Sequence, residues 1–252
     1  MSRDNLKKTS AIVTGASSGI GLEISRKLGA MGYEVFGFGR DFRQEPLWEE
    51  EGFHPLVCDL TDTDRLCRLV KQTAADSRVS VLVNNAGAGY YGLHEELNPK
   101  KIQEMVRINL EVPMILTQQL LRELKKNNGY VISIASVTAR QSNPHGCAYG
   151  ATKAGLASFS ASLFDEARKY GVKAVTVFPD MTKTNLYRNA DFQEGDEPAS
   201  YLMPEETAAA VEFILNQREG AIVSEITIKP QLHRIKKKKN RNPDCQNVPF
   251  KE

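Results

Sequence analysis

The stretch SAIVTGASSGIG, residues 10–21, decides the fold: an apolar β-type run breaks at a glycine-rich turn and opens into a helical pattern. In the turn, Thr14 to Gly21, glycines permit a tight bend and close approach of a phosphate to the backbone. The N-terminus of the following helix offers free N–H groups and a partial positive charge. The hydroxyls of Ser17 and Ser18 add donors. A ligand-free strand-to-helix turn has the same local sequence, so its surroundings must separate the two readings.

Outward from that stretch the pattern repeats. Further β-type runs are YEVFGFG (33–39), FHPLVC (53–58), VSVLVNNAG (79–87), GYVISIAS (129–136), VKAVTVF (172–178) and GAIVSEITI (220–228). Several are apolar almost throughout, as strands covered on both faces are. Helical spacing fills Ile20–Met31, Thr63–Ala75, Pro99–Lys126, Gly146–Tyr170 and Pro204–Gln217, and glycine or a polar cluster closes most of these segments. Pro113 is expected to bend or break the longest. This alternation predicts an α/β chain: one Rossmann-type, doubly wound parallel sheet of about seven strands, with helices on both faces. The domain is expected to span residues 1–230, followed by a basic tail at 231–252.

Composition narrows the classes. With 252 residues, 41% hydrophobic and 25% charged, the chain has the make-up of an ordinary globular protein. No apolar run approaches the ~20 residues of a membrane-crossing helix, and the first residues do not resemble a secretory signal. Cys58, Cys67, Cys147 and Cys245 lack metal-type spacing, so no metal site and reduced thiols in the cytoplasm are expected. The net charge of +2 divides into +5 for residues 231–252 and −3 for the rest. The body is therefore not a basic nucleic-acid binder. Lys236–Lys239 reads either as a contact for phosphates or as a solvated run, and neither a nucleic acid nor a membrane is expected as partner.

In such sheets ligands bind at the carboxyl ends of the strands, and polar or small residues follow the strands here. Phe38-Gly39-Arg40 ends the second run with no carboxylate to accept from ribose hydroxyls. Arg40 instead suits a 2′-phosphate, which favours NADP(H), although Asp41 is an alternative partner for it. Asp59, with Leu60, is placed either to accept from an adenine amino group or to cap the next helix. After the fourth strand Asn84 and Asn85 serve ligand or sheet, while Ala86 and Gly87 let a flat ligand pass. Tyr149 and Lys153, four apart, share one helix face. The lysine charge is expected to pull the phenol, with an ordinary pKa of about 10, toward working range. Ser136 precedes Tyr149 by 13 residues and reaches the same pocket in this reading.

Together these elements resemble the short-chain dehydrogenase/reductase family, from about Ser10 to Ile228. The glycine loop at 14–21, Asn-Asn-Ala-Gly at 84–87, the helical asparagine Asn109, Ser136 and the Tyr149/Lys153 pair occur in the family's order. The resemblance implies transfer of a hydride between NADP(H) and a small ketone, aldehyde or secondary alcohol. In that mechanism Tyr149 is the proton donor, Ser136 fixes the substrate oxygen, and Lys153 holds the nicotinamide ribose and tunes Tyr149. Asn109 anchors a water for proton resupply. Gly15, Ser17, Ser18, Gly19, Ile20 and Gly21 would hold the phosphates, and Thr182 and Thr184 would stand near the carboxamide. A non-catalytic NADP sensor or scaffold is the alternative, and a homodimer or homotetramer is implied.

Two features depart from the family. Pro179 is followed by Asp180 where glycine is usual, which predicts a different loop shape or a carboxylate near the substrate. The chain end is basic rather than glycine-rich. Residues 181–203 fall where a substrate loop lies; Tyr187, Phe192 and Tyr201 are expected to close over the ligand, with residues 89–91 and 141–145 as the other walls.

Overall fold

The computed structural model describes residues 8–43 and 50–238. Seven strands, β1 (Thr9–Thr14), β2 (Glu34–Gly39), β3 (Phe53–Val57), β4 (Arg78–Asn84), β5 (Tyr130–Ile134), β6 (Lys173–Pro179) and β8 (Glu225–Ile228), form one parallel sheet. Their order is β3-β2-β1-β4-β5-β6-β8. The chain winds outward from β1 through β3, then returns to lay β4 on the other side of β1. Ile12 accordingly stands in register with Phe36 on one side and Leu82 on the other. This reversal opens a crevice between the carboxyl ends of β1 and β4.

Alternation along the strands sorts the core into two layers. Ala11, Val13, Val81, Val83, Ile132 and Val175 face α1 (Gly19–Ala30) and α6 (Pro204–Leu215), where Leu22, Ile24, Leu28 and Val211 meet them. Ile12, Leu82, Val131 and Ala174 face α2 (Thr63–Asp76), α4 (Val112–Lys126) and α5 (Cys147–Ala167), through Leu66, Leu116, Leu120 and Leu163. Both faces are covered, which explains why the strands are apolar almost throughout.

The elements depart from the sequence reading in three places. The long helix divides into α3 (Pro99–Val106), a π-helical turn at Arg107–Glu111, and α4. The irregularity lies one turn before Pro113, because a proline ring crowds the carbonyl four residues back and offers it no N–H. The register slips instead, and the Val112 N–H reaches Arg107 O. The last sheet strand begins only at Glu225, since as an edge strand it pairs with β6 from Thr176 onward.

The third departure concerns the expected boundary at 230. Beyond it the Leu232 N–H donates to Ala199 O (2.8 Å). Strand β9 (Ile235–Lys237) then pairs antiparallel with β7 (Phe192–Glu194). Lys239, Cys245 and the remainder of the basic run lie outside the described residues. Among the described residues no helix is long and apolar enough to cross a membrane, and no His/Cys/Asp/Glu group is arranged to hold a metal ion. Cys58, Cys67 and Cys147 are free thiols.

Candidate active site

A cleft of about 380 Å³ opens at the carboxyl ends of the strands. Of the residues expected to serve catalysis or hold the cofactor, all but Gly21 and Asn109 line it.

At the β1–α1 turn, Gly19 has φ +54°, a region that costs an ordinary residue strain. Gly21 works differently: a Cβ there would stand 2.2 Å from Gly15 O and 2.4 Å from Asn85 Nδ2. It lets the helix sit on the turn and does not touch the cleft. Ser18 is the N-cap of α1 but makes no side-chain capping bond, and the first turn carries no acid. The terminal N–H groups are therefore not competed for by a local carboxylate, as an anion site requires. Asn85 answers the question left open for the amides. Its Nδ2 donates to Thr14 O (2.8 Å), while Thr14 Oγ1 accepts from the Asn85 and Ala86 N–H groups, both at 3.0 Å. The side chain thus pins β4 to the turn, and Ala86 and Gly87 form the cleft floor.

Toward the far end Arg40 lines the cleft and is exposed. Asp41 turns away from it to Arg43, which grips both carboxylate oxygens (Nε 3.0 Å, Nη2 2.7 Å) and holds Asp41 down to about 2. Asp59 does not cap α2; Asp62 does, accepting from the Arg65 N–H at 3.0 Å. Asp59 Oδ1 accepts from the N–H and hydroxyl of Thr61 instead, and these bonds keep its carboxyl below its usual range. Ringed this way, Asp59 and Leu60 border the cleft beside Arg40.

Ser136, Tyr149 and Lys153 converge in the middle, exposed by only 8%, 4% and 4%. Lys153 Nζ donates to Ile134 O at 2.8 Å and lies 5.9 Å from the Tyr149 ring centroid. Burial penalises the charged form of both groups: it pushes the Tyr149 phenol up to about 12, against a hydrogen bond with Ser136, and brings Lys153 down to about 8. The expected lowering of the Tyr149 pKa is therefore reversed, because desolvation outweighs the hydrogen bond with Ser136. Thr138, which sequence reasoning missed, donates its hydroxyl to Ser136 Oγ at 2.9 Å and so orients it. Its position two residues after Ser136 was the available signal.

Asn109 is fully buried in the π-helical turn. Its amide donates to Ala88 O (2.9 Å) and Thr152 Oγ1 (3.0 Å), and its Oδ1 accepts from the Ala88 N–H (2.8 Å). The side chain is fully committed to bracing the β4 loop against α5. Any water bound at this residue must use its main-chain carbonyl, which Pro113 deprives of an α-helical donor.

On the substrate side, Asp180 does not adopt a positive φ, so replacement of the family's glycine strains nothing. Its N–H donates to Ile228 O (2.9 Å) and its carboxylate accepts from the Met181 N–H (2.8 Å) at the cleft wall. Thr182 donates to Asp180 O, and Thr184 accepts from the Leu186 N–H. Tyr91 packs on Tyr149, Tyr187 and Phe192 pack on Tyr91, and burial pushes the Tyr91 and Tyr187 phenols well above their usual range. Two expected walls are absent from the site. Tyr201 lies under Lys183 instead (5.3 Å), and residues 141–144 line a separate groove along α5.

A doubly wound sheet with a tyrosine, a lysine and a serine converging at its strand ends defines an α/β protein built to bind a ligand across the crevice. The sequence profile of the short chain dehydrogenases matches residues 9–195, and the chain belongs to that family. It is 31% identical over 232 residues to an uncharacterized short-chain type dehydrogenase/reductase, y4eK, of Sinorhizobium fredii, covering 87% of this chain and 90% of the relative. It is 28% identical to a 3-oxoacyl-[acyl-carrier-protein] reductase of Buchnera aphidicola, over 87% and 95% of the two chains. Among solved structures, the alcohol dehydrogenase of Thermococcus sibiricus complexed with 5-hydroxy-NADP matches with a TM-score of 0.80 at 25% identity, covering 90% of this chain and 98% of that one.

Proposed function

We propose that the chain is an NADP(H)-dependent oxidoreductase that interconverts a small ketone or aldehyde and the corresponding alcohol. The observation that carries this is the convergence of buried Tyr149, Ser136 and Lys153 in one cleft with the β1–α1 turn and Arg40. The NADP analogue in the Thermococcus sibiricus enzyme and the carbonyl reduction named for the Buchnera relative support it.

When bound, the nicotinamide supplies or accepts the hydride. The chain supplies placement and protons. The α1 N-terminus and glycine turn would hold the pyrophosphate, Arg40 would meet the 2′-phosphate, and Thr182 and Thr184 would border the nicotinamide end. Ser136, oriented by Thr138, donates to the substrate oxygen, and Tyr149 passes its proton to the same atom. A phenol raised to about 12 stays protonated at neutral pH, which suits reduction. Lys153 keeps a positive charge beside the reacting oxygen, and the Asn109 carbonyl is the handle for a water leading outward. We place the protein in the cytoplasm as a homodimer or homotetramer.

The test is a titration with NADPH and with NADH followed by nicotinamide fluorescence, then a panel of ketones and aldehydes followed by loss of reduced-cofactor absorbance. Tighter binding of NADPH with turnover of a panel member is expected. Failure to bind either cofactor overturns the reading.

A further inference from the structure

The rings near Tyr149 come from two separate segments. Tyr91 follows β4, and its centroid lies 5.5 Å from that of Tyr149. Tyr187 and Phe192 lie 5.9 and 5.1 Å from Tyr91 and 5.6 Å from each other. These two belong to the segment after β6, which is held along its length by the end of the described chain. The Lys238 N–H donates to Asp191 O (2.8 Å), the Gly195 N–H to Arg234 O (3.2 Å) and the Leu232 N–H to Ala199 O (2.8 Å). Phe192 stands opposite Lys237 in the β7–β9 ribbon.

Side chains reinforce the strap. Lys238 Nζ donates to Tyr187 O at 2.6 Å, in the residue whose ring caps the site. Lys236 Nζ lies 2.8 Å from both carboxylate oxygens of Asp196, and Arg234 pairs with Glu197. The basic run thus meets the acids of the loop. A two-stranded ribbon is marginal alone, and exposed ion pairs add little. The partly buried, charge-assisted bond from Lys238 is therefore the strap's direct side-chain tie to Tyr187, added to the Ala190 N–H that the same carbonyl accepts at 3.0 Å.

We propose that the C-terminal strand is a working part of the substrate site: β9 and Lys238 hold Tyr187 and Phe192 against Tyr91, which packs on Tyr149, forming an aromatic roof that selects compact, uncharged ketones with an apolar or aromatic substituent. This rests on the oxidoreductase reading above. Lys238 is a positioning residue that acts through the Tyr187 carbonyl. Asp180 and Glu194, near Tyr187, add a negative field that disfavours an anionic substrate. The role assigned to the basic strand is intramolecular, in place of phosphate binding.

The experiment compares wild type, Lys238→Met and Lys238→Arg in the full chain. With saturating NADPH and an aryl ketone, Lys238→Met should raise KM by about three- to tenfold, and arginine should restore it. The NADPH dissociation constant and kcat should stay within about twofold, because Lys238 itself does not line the cleft. Amide hydrogen exchange across 187–195, measured without substrate, should rise in the methionine variant. Unchanged KM and unchanged exchange overturn the strap. Faster turnover of a 3-oxoacyl thioester than of the aryl ketone overturns the substrate class. If wild type turns over no carbonyl compound, the oxidoreductase reading fails while the exchange comparison still decides whether Lys238 orders the roof.

Discussion

At the β1–α1 end of the cleft the backbone sets the shape: Gly19 turns the chain, Gly21 admits the helix, and the Asn85 side chain ties β4 to the carbonyls of Thr14 and Gly15. Across the cleft the wall includes the Tyr187 ring, which packs with Tyr91 and Phe192; these side chains come from segments far apart in sequence, and the one carrying Tyr187 and Phe192 is fastened by a strand from the end of the described chain. The first end presents backbone N–H groups to a charge; the second presents aromatic surface to a shape. A phosphate can be bound through backbone geometry that tolerates few side chains. A variable carbonyl compound is better met by side chains that can be exchanged without altering the sheet. Tyr149 stands where the two ends meet.

Variants at the two ends should therefore separate cleanly, and Tyr149→Phe is the most severe test. It should lower turnover by about 10²- to 10⁴-fold, the range for loss of a general acid, while NADPH titration gives an unchanged dissociation constant. Retained turnover breaks the mechanism. Next in size, Arg40→Ala should weaken NADPH by about 10- to 100-fold through loss of a charge-assisted contact. It should leave NADH binding and the carbonyl KM alone; an equal effect on both cofactors removes Arg40 from the 2′-phosphate.

The pH profile probes the centre. Reduction needs Lys153 charged and Tyr149 protonated. With Lys153 brought down to about 8 and Tyr149 pushed up to about 12, kcat/KM should be level below pH 8 and fall about tenfold per unit above it. Lys153 also supplies a control. Its folded pKa lies below its unfolded one, so the unfolded chain binds more protons from pH 8 upward, and this group's contribution to stability rises there. A thermal melt should show that the activity loss is not unfolding. The smallest effect is expected from Phe192→Ala, which removes one ring from the roof: the ketone KM should rise by about two- to tenfold with NADPH binding intact. A change in NADPH affinity instead would show that the two ends are coupled.

Legibility followed the same division. The alternation of strands and helices, the order of the glycine turn, and the approximate places of Ser136, Tyr149 and Lys153 follow from local pattern. Local pattern also put Asn109 in the long helix and polar residues at the strand ends. It erred, or left alternatives open, where an answer depended on what lies opposite in space. Asp59 closes on Thr61 rather than capping α2, Asp41 takes Arg43 rather than Arg40, and Gly21 serves packing rather than lining. Tyr201 and residues 141–144 stay out of the cleft. The Tyr149 pKa moved opposite to expectation because burial, which no spacing reveals, exceeds the lowering by its hydrogen bond with Ser136.

By itself the sequence determined a doubly wound sheet with its polar residues at the strand ends, because hydrophobic period, glycine placement and helix-face spacing are local properties. Only the tertiary structure decided the aromatic roof, the Thr138–Ser136 contact, the bracing role of Asn109 and the return of β9 onto β7. Each joins residues that no short-range period relates: β7 and β9 are some forty positions apart, and Tyr91 and Tyr187 nearly a hundred. Such contacts form only after the sheet has brought distant loops to one edge, so their energetics belong to the folded chain and not to any window of it.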